Sequence, residues 1–287
     1  MSVLLLVAIG VVTGLTTVLF GFGGGFVAVP VIVWMDAGLG AEAAHTAVAT
    51  SSVVMVVNAA VATAATDRGV LGELRRSRAL LVLLGLGGVL GAVAARWAPG
   101  AVTQWGFVAY LVGTIVDLLL RPGFFAGRGS GRGRWREGRD APAAEGGVPA
   151  GRGSGRIAGG FGVPIGAVAS FLGLGGSVLT VPMLRRSGLA MRTATSLANP
   201  LTLAISAPAL AVFLVGGGGG GAAAGAGGVL LLGAVDVGAG AALLVGALPV
   251  IVALRRRPPE IPDRVYAWTY LGLLVAVTLA MTASAVG

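Results

Sequence analysis

The sequence predicts an all-α polytopic membrane protein made of two inverted-topology repeats of roughly four to five helices each, with a glycine-broken hairpin starting each repeat. Three observations predict it. The chain is 56% hydrophobic and only 11% charged, with a mean hydropathy of +0.93, and its apolar runs repeatedly reach the length that crosses a bilayer. A soluble domain could not hide that much apolar surface from water. The stretch Gly21-Phe-Gly-Gly-Gly-Phe-Val-Ala-Val-Pro30 interrupts such a run with residues that are costly inside a helix, and it recurs as Gly173-Leu-Gly-Gly-Ser-Val-Leu-Thr-Val-Pro182. Finally, the arginines gather in a few connecting segments, as cytoplasmic loops of membrane proteins require.

The recurrence extends beyond the glycines. Ala49-Thr50-Ser51 lies downstream of the first cluster and Ala194-Thr195-Ser196 downstream of the second, and Arg96, Pro99, Tyr110 and Leu111 match Arg256, Pro259, Tyr270 and Leu271 at a constant offset of 160. The chain therefore divides into a first membrane repeat over 1–120, a basic linker over 121–156 and a second membrane repeat over 157–287. The linker holds eight Arg, eleven Gly and three Pro against three acids, a composition of disorder. Its Gly-Arg runs could suggest RNA binding, but between membrane spans they read more simply as a topology signal, so no nucleic-acid partner is expected.

Several functions are excluded outright. Without cysteine there is no disulfide, thiol nucleophile or thiolate metal site. All 20 basic residues are arginine, which removes a phosphate-loop lysine and a Schiff-base lysine. No cofactor or metal is expected.

In chain order, residues 3–20 are apolar without a preceding basic segment and run on into glycines, which argues against a cleaved signal peptide. Val3 to Met35 is too long for one straight span at about 1.5 Å per residue across about 30 Å of hydrocarbon. It reads as two helices joined, or one broken, at Gly21 to Gly25. Spans follow at 46–66, 79–95 and 102–120. In the second half, an apolar run from Ile157 reaches the second glycine cluster and continues to Leu184. Spans at 193–215, 238–254 and 265–285 complete it, and 216–228 reads as an uncharged, glycine-dominated connection.

Placing the arginine-rich segments 67–78, 121–156, 185–192 and 255–257 in the cytoplasm puts the acidic 36–45 loop and the 216–228 connection outside. Each half then has an odd number of crossings, the halves are inverted, and each broken segment is a hairpin. Arg96 alone falls on the wrong side. About ten crossings result if both hairpins span, fewer if they are re-entrant. The expected location is a multi-pass position in the cell membrane, the plasma membrane of a bacterium.

Inverted repeats with broken helices are the architecture of secondary transporters, which hold substrate where the breaks meet. A break exposes N–H groups that lipid cannot satisfy, and those groups at the positive end of a helix dipole favour an anion. Thr50, Ser51, Asn58, Thr195, Ser196 and Asn199 can add neutral hydrogen bonds, although each could equally join helices. Gly85, Gly87, Gly88 and Gly91 fit close helix packing. His45 reads as an interfacial residue, Asp117 as a partner of Arg121, and Asp236 as a helix cap.

The G-x-G-G-G-x-x-x-x-P element, the A-T-S span after it and the repetition of both resemble the TauE/SafE sulfite exporter family. The resemblance covers nearly the whole chain apart from the linker and the glycine tract. It implies transport of sulfite, sulfonates or related organosulfur or carboxylate anions. It also implies that Gly21, Gly23, Gly24, Gly25 and Pro30, with Gly173, Gly175, Gly176 and Pro182, form the site; Ser177 stands where the first copy has Gly25. The expected partners are a small anion and the bilayer, with oligomeric state open. Two other classes stay open at this point: an intramembrane enzyme, though G-x-S-x-G and H-E-x-x-H are absent, and a structural membrane protein without transport activity.

Overall fold

The computed structural model describes residues 3–35, 43–66, 78–120, 162–186, 191–216, 222–224, 230–256 and 261–286. These residues form α1 (Val3–Phe20), α2 (Gly25–Met35), α3 (Ala43–Ala64), α4 (Arg78–Trp97) and α5 (Gly100–Leu120) in the first half. The second half forms α6 (Gly162–Phe171), α7 (Ser177–Arg186), α8 (Met191–Gly216), β1 (Ala222–Ala224), β2 (Leu230–Leu232), β3 (Val235–Asp236), α9 (Val237–Arg256) and α10 (Asp263–Val286). The chain is an all-α polytopic membrane protein: among the described residues, seven helices (α1, α3, α4, α5, α8, α9 and α10) are long and apolar enough to cross a bilayer.

The breaks fall where glycine allows them. α1 stops at Phe20 because Gly21 turns to φ 74°, its N–H still bonding the Thr17 carbonyl at 3.0 Å. α6 ends in the same way at Gly173, with φ 68°, while Leu174 N–H reaches back to the Ala169 carbonyl at 2.9 Å. New helices then start on Gly24 and Gly176, whose carbonyls accept from Ala28 and Thr180. α2, α6 and α7 have only 11, 10 and 10 residues. Each is therefore about 15–17 Å long, half the hydrocarbon thickness.

Packing between the halves is reciprocal. α1 packs on α9 and α6 on α4; α3 packs on α9 and α8 on α4; α3 packs on α8 and α5 on α10. Exchanging α1–α5 for α6–α10 leaves this pattern unchanged. Small residues make the closest of these contacts. Gly162 faces Leu80 and Leu83, Gly166 faces Leu84 and Gly88, and Gly91 faces Ala167, so α4 and α6 run side by side in the same direction. Gly10 and Gly14 meet Leu243 and Ala247 on α9 in the same manner. The packing role expected of Gly85, Gly87, Gly88 and Gly91 holds: a Cβ at any of them would press on backbone of α6 or α8.

Two expectations need amendment or fall outside these residues. The connection after α8 contains a small antiparallel sheet in the order β1-β2-β3, with Ala222 opposite Leu232 and Leu231 opposite Asp236. Strands of two or three Gly-, Ala- and Leu-rich residues are too short to show a two-residue period, which is why the sequence read as a bare connection. The linker 121–156, the 36–42 and 67–77 loops and Arg121, the expected partner of Asp117, lie outside the described residues. Asp236 caps α9 as expected, its Oδ1 accepting from Ala239 N–H at 3.0 Å.

Candidate site where the two breaks meet

The two glycine clusters, 152 positions apart in sequence, lie against each other between α3 and α8. A Cβ on Gly25 would sit 2.7 Å from the Gly173 carbonyl oxygen, so the breaks are in direct contact. Both also meet the same pair of side chains. A Cβ on Gly23 would lie 2.8 Å from Thr202 Cγ2 and 3.5 Å from Met55 Cγ, and one on Gly175 would lie 2.9 Å from Thr202 Cγ2 and 3.1 Å from Met55 Sδ. Every residue from Gly21 to Pro30 and from Leu172 to Val178 is buried.

Positive φ at Gly21, Gly23, Gly24, Gly173 and Gly175 points the backbone of each break inward without a side chain. The first-turn N–H groups of α2 and α7 have no acceptor within their own helices, and the dipoles of both helices put partial positive charge at the same place. Around them lie polar atoms with no hydrogen-bond partner among the described residues. These are both amide atoms of Asn58, Thr202 Oγ1, Ser177 Oγ and, one turn into α7, Thr180 Oγ1. Asn58 is fully buried, and its Nδ2 would be 2.7 Å from a Cβ on Gly24. Each such atom costs about 1–3 kcal/mol if left without a partner, and although Thr63, Thr103, Gln104, Tyr110 and Ser170 also hold unpaired atoms, Asn58 and Thr202 both lie directly against the break glycines. The array brings N–H and O–H donors together with the Asn58 Oδ1 acceptor.

The other residues singled out in the sequence divide. Ser51 Oγ donates to the Val48 carbonyl at 2.8 Å and lies 3.4 Å from the Gly173 carbonyl, which places it at the second break. Thr50 turns the other way, its Oγ1 accepting the Asp236 N–H at 2.8 Å. Thr195 meets Gly21 through its backbone, and its carbonyl accepts from Asn199 Nδ2 at 3.2 Å. Ser196 is only partly buried. Pro30 lines a separate apolar groove between α2 and α10, about 660 Å³ in volume, together with Val27, Trp34 and Ala280. Pro182 removes the N–H that would bond the Val178 carbonyl, and Tyr270 Oη donates to that carbonyl instead at 3.1 Å.

Sequence reasoning missed Met55 and Thr202, and also Thr13 and Thr17, which face Gly24 from α1. The signal was a change of register. Gly21 meets Thr195 and Ala198, while Gly173 meets Val48 and Ser51, so equivalent positions on α3 and α8 are 147 apart. The A-T-S match has an offset of 145, and two residues turn a helix by about 200°. The matched letters consequently face different neighbours. Among the described residues, no group of three or more His, Cys, Asp or Glu could hold a metal ion.

Neither a curated protein nor a solved structure matches the chain significantly. A sequence profile described as Sulfite exporter TauE/SafE matches residues 6–281, nearly the whole chain and both breaks within it. With seven membrane-crossing helices and that match, the chain belongs to the TauE/SafE sulfite exporter family, whose members are multi-pass cell-membrane transporters and not enzymes.

Proposed function

We propose that this protein is a secondary transporter that moves sulfite, a sulfonate or a related small organosulfur or carboxylate anion, bound where the two glycine breaks meet. The observation that carries this reading is the convergence of both breaks on Met55 and Thr202, with the unpaired Asn58 amide and the Thr202 and Ser177 hydroxyls beside them. Helix N-termini and neutral donors fix the sign of the ligand as negative. In this reading the two halves are inverted, which is supported by the gathering of arginines in a few connecting segments and fits α4 and α6 running in the same direction.

The test is anion flux in vesicles carrying the full-length protein. Sulfite, methanesulfonate, thiosulfate and small carboxylates are each offered against sodium and potassium controls. The expected result is movement of at least one sulfur oxyanion and of neither cation. Cation movement, or no movement of any of these anions, would overturn the reading.

A further inference from the structure

A proline inside a half-helix deprives a carbonyl of its helical partner. Pro182 does this to Val178 in α7, and Pro30 does it to Phe26, the equivalent residue of α2, 152 positions earlier. The Val178 carbonyl accepts instead from Tyr270 Oη at 3.1 Å. Tyr110, 160 positions before Tyr270, has a buried hydroxyl with no hydrogen-bond partner among the described residues. The two tyrosines nevertheless stand in equivalent places. The Tyr266 ring meets Phe20 at 5.1 Å, and Gly106, 160 positions before Tyr266, would put a Cβ 3.3 Å from Leu172, which is 152 positions after Phe20. α10 therefore stands to the first break as α5 stands to the second, and Tyr270 and Tyr110 each follow about one helical turn later. Tyr270 touches both breaks: its ring lies 5.6 Å from Phe20 and 5.2 Å from Phe22, while its hydroxyl holds α7. One clasp is made and its counterpart is not, in a molecule whose halves otherwise pack reciprocally.

Resting on the transport reading and the inversion above, we propose that Tyr110 and Tyr270 are positioning residues of the transport cycle. The Tyr270–Val178 bond belongs to the state described here, and a Tyr110–Phe26 bond replaces it in the state that faces the other side of the membrane. Inverted halves that exchange arrangements turn the same binding place toward the opposite face. That exchange gives the first half the geometry the second has here, which brings the Tyr110 hydroxyl to the Phe26 carbonyl and releases Val178. Each state then keeps one tyrosine bond, so neither bears the whole cost of a buried carbonyl that the other has satisfied. Ser177, whose hydroxyl is unpaired, directly precedes Val178, so the clasp also sets where the start of α7 points its donors.

Sulfite flux per inserted molecule, measured with the full-length protein in vesicles, tests this. Tyr110→Phe removes a hydroxyl that holds nothing in the present state, so it does not lower the melting temperature, yet it lowers flux on the order of fivefold, the population weight of one hydrogen bond. Adding Tyr270→Phe weakens the present state as well and brings flux back to within about twofold of wild type, although that protein melts lower. A purely structural pair would do the reverse, leaving the double variant slower than Tyr110→Phe. Pro30→Ala supplies a second route should the double variant fail to insert: it returns an N–H to the Phe26 carbonyl in both states, and Tyr110→Phe then has no further effect on flux. Wild-type flux through Tyr110→Phe, a double variant no faster than Tyr110→Phe alone, or an undiminished effect of Tyr110→Phe beside Pro30→Ala would each overturn the proposal while leaving transport intact. Absence of sulfite and sulfonate flux in wild type would instead remove the transport reading, and the proposal with it.

Discussion

At the scale of single residues, Asn58 has both amide atoms buried and unpaired, at a cost of about 1–3 kcal/mol to the fold. Asn58→Leu fills the same space without unpaired polar atoms, so the variant should unfold at the same or a higher temperature than wild type when melted in detergent. A clear loss of stability would mean that the amide has a partner that holds the fold. The glycines of the two breaks are not interchangeable as test sites. Gly24 has φ 93° and a Cβ there would press on Thr13 and Asn58, so any side chain strains the backbone. Gly176 lacks a positive φ, and a Cβ there would press only on the flexible end of Ile205, with Thr180 Cγ2 at an ordinary 4.0 Å. The sequence placed these glycines by their spacing, but it could not show that only one cluster faces an asparagine. That difference comes from α3 and α8, whose register no repeat of letters revealed.

At the scale of elements, the helix boundaries were legible because glycine and proline punctuate an apolar chain: α1 ends at Phe20 and α2 starts at Gly25, as the Gly21 to Gly25 interruption implied. The small sheet was not legible, and neither was Thr50 as the clasp that holds Asp236 at the start of α9. Nothing local marks a hydrogen bond across 186 residues. The proline inside α7 has a repair that the sequence hinted at only through the matched pair Tyr110 and Tyr270. Tyr270 Oη satisfies the Val178 carbonyl that Pro182 leaves open, whereas the buried Tyr110 hydroxyl has no partner among the described residues. Tyr270→Phe should therefore cost about 1–3 kcal/mol by leaving a buried carbonyl unpaired, and Tyr110→Phe should be neutral or slightly stabilising. Thermal melts of the two variants check this, and equal losses would contradict it.

At the scale of the whole molecule, the halves interlock: the first helix of each packs along the fourth helix of the other, with glycines at the contact. α3 and α8, which pack on each other across the halves, also frame the breaks. If the halves are inverted, as proposed above, the α4–α5 turn and the equivalent α9–α10 turn face opposite sides of the membrane. The chain has no cysteine, so single cysteines report cleanly. Trp97→Cys, at a position 81% exposed, should react with a membrane-impermeant thiol reagent on intact cells, and Arg264→Cys should react only after permeabilisation. Equal labelling would contradict inversion. The most direct measurement for the site is sulfite flux per inserted molecule through Asn58→Leu in vesicles, set against wild type. Losing one donor to the anion predicts a fall on the order of tenfold or more, in a protein at least as heat-stable as wild type. Wild-type flux through Asn58→Leu would contradict an anion site at the meeting of the two breaks.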